Sequence, residues 1–280
     1  MIAALFLIKL MAGITLMWWL MPRKDVTDGF FRIQMRVLLG LGVLVALLFT
    51  SEPAATTADS TTDSSPPVTQ QTSSSAASED ARRMSPTAKT NIRNLSIAIC
   101  VISYAGSVFW ALGRRTPGNI CIYLLLLLSV GCLGLHSFEA ANNGSLPGQL
   151  LSDFASALVL GGVLTAMLLR HWYLTTPTMS INPLLWFNAA IVVSVVLRLL
   201  ASSWAVAQFG TVDDLTQQMW LGMRWLGGIV SPAVTTLLVW RIMKHKNTQS
   251  ATGVLFAGLI LVFMGEMTAT LLEQATQIPY

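Results

Sequence analysis

Lys9, Asp153, Arg198, Arg224 and Glu266 are five ionisable side chains set inside stretches that are otherwise apolar. A charge at the centre of a bilayer costs about 3 kcal/mol on insertion scales. Such residues are therefore held in pairs, turned toward the protein interior and associated with ion, proton or substrate sites. Two carboxylates among three cations can pair, exchange protons or hold a small charged or polar solute. The expected pairs are Arg198 with Glu266 and Arg224 with Asp153, with Lys9 joining either or snorkelling to the interface.

Helical spacing gives these charges polar company. Ser194, Arg198 and Ser202 fall on one face at i, i+4 and i+8, and Glu266, Thr270 and Glu273 share another at i, i+4 and i+7. Arg224 and Gly228 share a third face, and Pro232 one turn later should kink or loosen the backbone. Together they describe a polar crevice lined by the fifth to eighth apolar segments.

The three histidines offer less. His136 closes the fourth apolar segment and His171 the fifth, at opposite membrane faces, while His245 lies in a loop. A bis-histidine b-type haem needs two facing ligands at one depth, so that pairing fails. A non-covalent haem on His136, alone or with a methionine, is the remaining haem option. No HExxH, no His/Asp/Glu cluster at metal spacing and no Gly-rich nucleotide loop is present, so no metal ligands are assigned. Cys100, Cys121 and Cys132 form no CxxC and read as small packing residues. The run Arg170-His171-Trp172-Tyr173 reads as an interfacial anchor; with His136 it supplies the candidate interfacial contacts to a headgroup, a quinone or a partner.

The elements that must position these groups follow from composition. Of 280 residues, 54% are hydrophobic and 11% charged, against about 25% charged in a soluble domain. The fold class is an all-α, polytopic membrane helix bundle. Eight apolar runs approach or exceed the roughly 20 residues needed to cross the hydrocarbon, at about 2–21, 33–50, 93–113, 118–136, 150–170, 183–207, 218–241 and 251–273. The first lacks a basic leader and a cleavage signature, so it reads as a retained helix. Residues 1–50 supply two spans and 93–280 a six-helix bundle. Between them, 51–92 is a Ser/Thr-rich, low-complexity outer loop with too little apolar surface to fold.

Arg23, Lys24 and Arg32, then Arg114 and Arg115, Arg170, and Arg241, Lys244 and Lys246 mark four loops on one side, which the positive-inside rule makes cytoplasmic. Both termini are then outer, and so is the layer of five charges, at depths of roughly 5–14 Å. Arg82, Arg83 and Lys89 in the 51–92 segment argue the other way and are outvoted. Asn143-Gly144-Ser145 is a formal glycosylation sequon on the outer side. No internal repeat is visible.

The expected partners are the bilayer and other membrane subunits, with no nucleic acid, and the expected location is a bacterial inner membrane. The leading functional expectation is an accessory, quinone-interacting subunit of a membrane electron-transfer assembly. A secondary transporter or permease for an ion or small polar solute is the alternative. A lipid-acting enzyme ranks last, because no nucleophile or metal spacing supports it.

Overall fold

Backbone amides have no water to bond in hydrocarbon, so each apolar run must close its hydrogen bonds within itself as a helix. The computed structural model describes residues 2–50, 84–141, 146–175, 182–210, 214–244, 248–276 and 278, and the regular structure among them is entirely helical. The helices are α1 (Ile2–Leu20), α2 (Asp28–Thr50), α3 (Pro86–Ala111), α4 (Arg115–Ala140), α5 (Leu146–Thr175), α6 (Asn182–Phe209), α7 (Leu215–Trp225), α8 (Ser231–Lys244) and α9 (Thr248–Thr276). A π-helical turn, Leu226–Val230, joins α7 to α8, making one 30-residue span from Leu215 to Lys244. Eight helices are thus long and apolar enough to cross a membrane. The expected sequon, His245 and all but the end of the 51–92 segment lie outside the described residues.

α3 starts before its apolar run because a cap extends it. α3 begins at Pro86 rather than near residue 93. Ser85 accepts a hydrogen bond from Ala88 N at 3.2 Å, and Pro86 fills the first position, where a missing N–H costs nothing. Glu139 on α4 accepts bonds from Ser85 N at 3.2 Å and from Ser85 Oγ at 3.1 Å, so one carboxylate fixes the entry of the next-door helix.

Chain order and spatial order differ. α2 packs on α3, α3 on α4 and α4 on α1, and α1 then lies against α5, which carries α6 and α9 on its other sides. α1 and α5 are the most buried spans, and the others turn large apolar side chains such as Val101, Leu127 and Leu200 outward, as lipid-facing helices do. The α1–α5 crossing depends on two glycines. A Cβ at Gly13 would strike the Ala157 carbonyl oxygen, and one at Gly161 would strike the Gly13 backbone. Small residues let helices approach closely where lipid gives no hydrophobic drive to associate. Thr15 and Ser129, 2.6 Å apart between hydroxyls, add a polar tie from α1 to α4.

The end of the bundle rich in basic loops is pinned by local contacts. Arg115 pairs with Asp28 at 2.9 Å, Arg23 reaches Asn119 at 3.1 Å and lies over the Tyr123 ring, and Trp172 donates to Thr27 at 2.8 Å. Phe31 stacks on Trp110 with ring centres 4.6 Å apart.

Gly161→Ala should therefore destabilise the bundle by about 2 kcal/mol through overpacking. Gly134→Ala on α4, where a Cβ meets nothing within 4 Å, should be neutral or mildly stabilising. Thermal melts in detergent decide; equal behaviour of the two variants would show that α1 and α5 do not approach closely at Gly161.

Candidate functional site

Near the start of α1 and the end of α9, six charged groups converge from α1, α5, α6, α7 and α9. Arg198 on α6 grips Glu266 on α9 with two parallel bonds, Nε to Oε1 at 3.1 Å and Nη2 to Oε2 at 3.2 Å. Its remaining nitrogen, Nη1, donates to Ser152 O at 3.0 Å and Ser152 Oγ at 2.8 Å. Such bidentate, charge-assisted pairs are the strongest kind available to arginine. Arg224 approaches the same carboxylate, with Nη1 3.4 Å from Glu266 Oε1, and Nη2 donates to Ser202 Oγ at 2.8 Å. Its Nε is buried without a hydrogen-bond partner.

The second half centres on Lys9 of α1. Its ammonium lies 2.8 Å from Asp153 Oδ1 and 3.0 Å from Glu273 Oε2. Gln149 Nε2, one turn before Asp153 on α5, donates to Asp153 Oδ2 at 3.1 Å and also to Glu273 Oε1. Ser137 on α4 donates to Asp153 Oδ2 at 2.6 Å. Consecutive residues of α5 join the halves: Ser152 serves Arg198 and Asp153 serves Lys9.

The network sums to zero formal charge, with Lys9, Arg198 and Arg224 against Asp153, Glu266 and Glu273. Burial is nearly complete for Lys9, Asp153, Arg198, Arg224 and Glu266, while the Glu273 side chain keeps 16% of its surface exposed. The five sequence-predicted site residues therefore do come together. Arg198 meets Glu266 as expected. Asp153 does not meet Arg224; it takes Lys9, because α1 rather than α7 packs against that face of α5. Lys9 is accordingly paired inside the protein instead of snorkelling. Glu273 is the anion missing from the five-residue list. Its i+7 spacing from Glu266 on one helical face is the sequence signal for it.

His136 belongs to this layer and not with the interfacial residues. It is buried, and neither ring nitrogen has a hydrogen-bond partner. His136, Asp153 and Glu273 each offer a ligand atom, and these atoms lie within 4.8 Å of one another. No local spacing could show this grouping, since the three come from α4, α5 and α9. At the other end of the bundle, Arg170 is buried, His171 is exposed and Trp172 is held by Thr27.

The π turn is the backbone feature of the site. Ser231 N donates to Leu226 O, five residues back, and Pro232 has no N–H to offer Gly228 O. Glycine at 228 makes room for the ions: a Cβ there would stand 3.2 Å from Glu266 Oε1 and 3.4 Å from Arg224 Nη1. A Cβ at Gly227 would come 2.6 Å from Leu261 O, so α9 runs directly against this turn.

Because Glu266 is shared by two arginines, Glu266→Ala should be the most damaging single change, at about 3–5 kcal/mol, since it strands both cations. Arg198→Ala should cost roughly half as much, because Arg224 still faces the carboxylate. Combining the two should cost less than their sum. Detergent unfolding curves check this; additivity, or a larger loss from Arg198→Ala, would show that Glu266 is not the shared anion. The chain matches no known protein-family model, no curated protein and no solved structure, so its function rests on this geometry.

Proposed function

We propose that the chain is a secondary transporter or permease of a bacterial inner membrane, moving an ion or small polar solute through the charged layer. The observation that carries this reading is the interrupted span α7–π–α8 running beside the buried ion network. A single π turn inside an α-helix keeps the backbone bonded while shifting its register, and such turns are frequent at functional sites. Here the interruption lies within a turn or two of Arg224, a cation with one unused buried donor. Gly227, Gly228 and Gly265 let the π turn and α9 slide in close contact without side chains between them. Glu266 rides on α9 and is held by arginines from α6 and α7, so a movement of α9 would redistribute its partners.

The quinone-interacting subunit of an electron-transfer assembly is the second reading, and one specific feature favours it. A groove of about 520 Å³ opens between α6 and α8, lined by Val192, Val195, Val196, Leu237 and Trp240, with Asn188 and Thr236 as polar points. Asn188 Oδ1 has no hydrogen-bond partner and could accept from a hydroquinone hydroxyl. This groove lies toward the basic loops, away from the charged layer, so the quinone of this reading belongs there and not among the paired ions.

Proteoliposomes loaded with a pH dye and given Na⁺, K⁺ or Zn²⁺ gradients should show cation or proton flux that falls at least tenfold in Glu266→Gln. Vesicles without flux, together with co-purification of redox subunits and bound quinone from native membranes, would transfer the argument to the second reading.

The orientation proposed with this function places both termini outside. Thr216→Cys at the start of α7 should react with an impermeant maleimide added to intact cells, and Asp25→Cys between α1 and α2 should react only after lysis; both positions are exposed. The reverse pattern would invert the topology and leave the site geometry untouched.

A further inference from the structure

We infer that His136, Asp153 and Glu273 form a binding site for one divalent transition-metal cation of the Zn²⁺ class, for which the Lys9 ammonium is a tethered and displaceable competitor. This names a substrate class for the transport reading and rests on that reading only for the movement of the ion, not for its binding.

The first support is the donor set. One imidazole and two carboxylates lie with their ligand atoms within 4.8 Å of one another. A shell with metal–ligand bonds of about 2.0–2.2 Å has its ligand atoms roughly 3–4 Å apart, so side-chain rotation closes the remaining gap. An imidazole with carboxylates suits Zn²⁺, Co²⁺, Mn²⁺ or Fe²⁺. It disfavours Ca²⁺ and Mg²⁺, which take all-oxygen sets.

The second support is independent of the acids. His136 is only 6% exposed, yet both ring nitrogens are without a hydrogen-bond partner. An unsatisfied buried polar atom costs about 1–3 kcal/mol, so natural structures rarely keep one without a use. Coordination through one nitrogen removes that cost for that atom.

The surroundings are those of a cation site. Asp153 and Glu273 already converge on one positive charge, Lys9, at 2.8 and 3.0 Å. Gln149 bonds both carboxylates and Ser137 bonds Asp153, which orients the ligands from outside, as groups around metal ligands do. An ion has an entry as well: Glu273 is the partly exposed member, three residues before the end of α9, and meets the solvent first. Lys9 sits about two turns into α1, and its stem is long enough for the ammonium to leave the carboxylates once a stronger cation takes them.

The test uses the full chain, purified in detergent without a polyhistidine tag and titrated with Co²⁺. Wild type should bind one Co²⁺ per chain, displaced by Zn²⁺ and not by Mg²⁺ or Ca²⁺. His136→Ala should weaken binding at least tenfold. Lys9→Gln should tighten it at least tenfold, a gain that a purely structural lysine would not produce and that decides the matter if His136→Ala fails to fold. Absence of Co²⁺ binding in wild type overturns the inference, even if Lys9→Gln binds, because Lys9 is then a permanent occupant. Binding unchanged in His136→Ala overturns it too. Co²⁺ binding without flux in proteoliposomes upholds the site and removes the transport reading; Na⁺ or proton flux without Co²⁺ binding does the reverse.

Discussion

Six ionised groups are held in a bundle that turns apolar side chains to its surroundings, and the rest of the structure is arranged so that they neutralise one another. No pair does this alone. Arg198 and Arg224 share Glu266, Asp153 and Glu273 share Lys9, and the consecutive residues Ser152 and Asp153 tie the two groups across one turn of α5. Removing one partner of a buried pair strands the other at a cost of several kcal/mol. The network therefore requires α1, α5, α6, α7 and α9 to be in register at one depth. This explains why α1, the first element in the chain, lies next to α5: only there does Lys9 reach Asp153.

That requirement reaches into the packing. For Lys9 to touch Asp153, the axes of α1 and α5 must come close, and Gly13 and Gly161 permit it by presenting backbone to backbone. A side chain at residue 228 would crowd the ends of Arg224 and Glu266 beside the π turn. The glycines and the charges are thus two parts of one design. Electrostatics chooses which helices must be neighbours, and small residues let them approach.

Much of this was legible in the sequence. The spans follow from apolar length, and the inclusion of Lys9, Asp153, Arg198, Arg224 and Glu266 in one layer follows from counting residues along them. The Arg198–Glu266 pair is visible because both sit at matching depths with polar neighbours on the same helical face. The partner of Asp153 is not visible. Depth fixes only one coordinate of a side chain, and the choice between Lys9 and Arg224 depends on the lateral order of helices, which short loops do not reveal when α1 leaves its chain neighbours to pack on α5. Glu273 and His136 are hidden for a related reason: each stands near a helix end, where a polar residue normally meets water and needs no buried partner. The π turn shows itself in sequence only as Gly227-Gly228 ahead of Pro232, a pattern equally consistent with a simple kink.

A fully neutral network is also a trap, since each group satisfied by its neighbours has little reason to bind anything else. Departures from saturation stand at its margins. Arg224 retains a buried Nε without a partner beside the π turn, and His136 keeps two bare nitrogens beside a carboxylate pair. Both lie at the margins of the network, one on the side of α7 and the other on the side of α4, with the α5 turn of Ser152 and Asp153 between them. A cation arriving at His136 must displace Lys9 from Asp153 and Glu273. The loss of that ammonium alters the charge facing the adjoining Arg198–Ser152 contact.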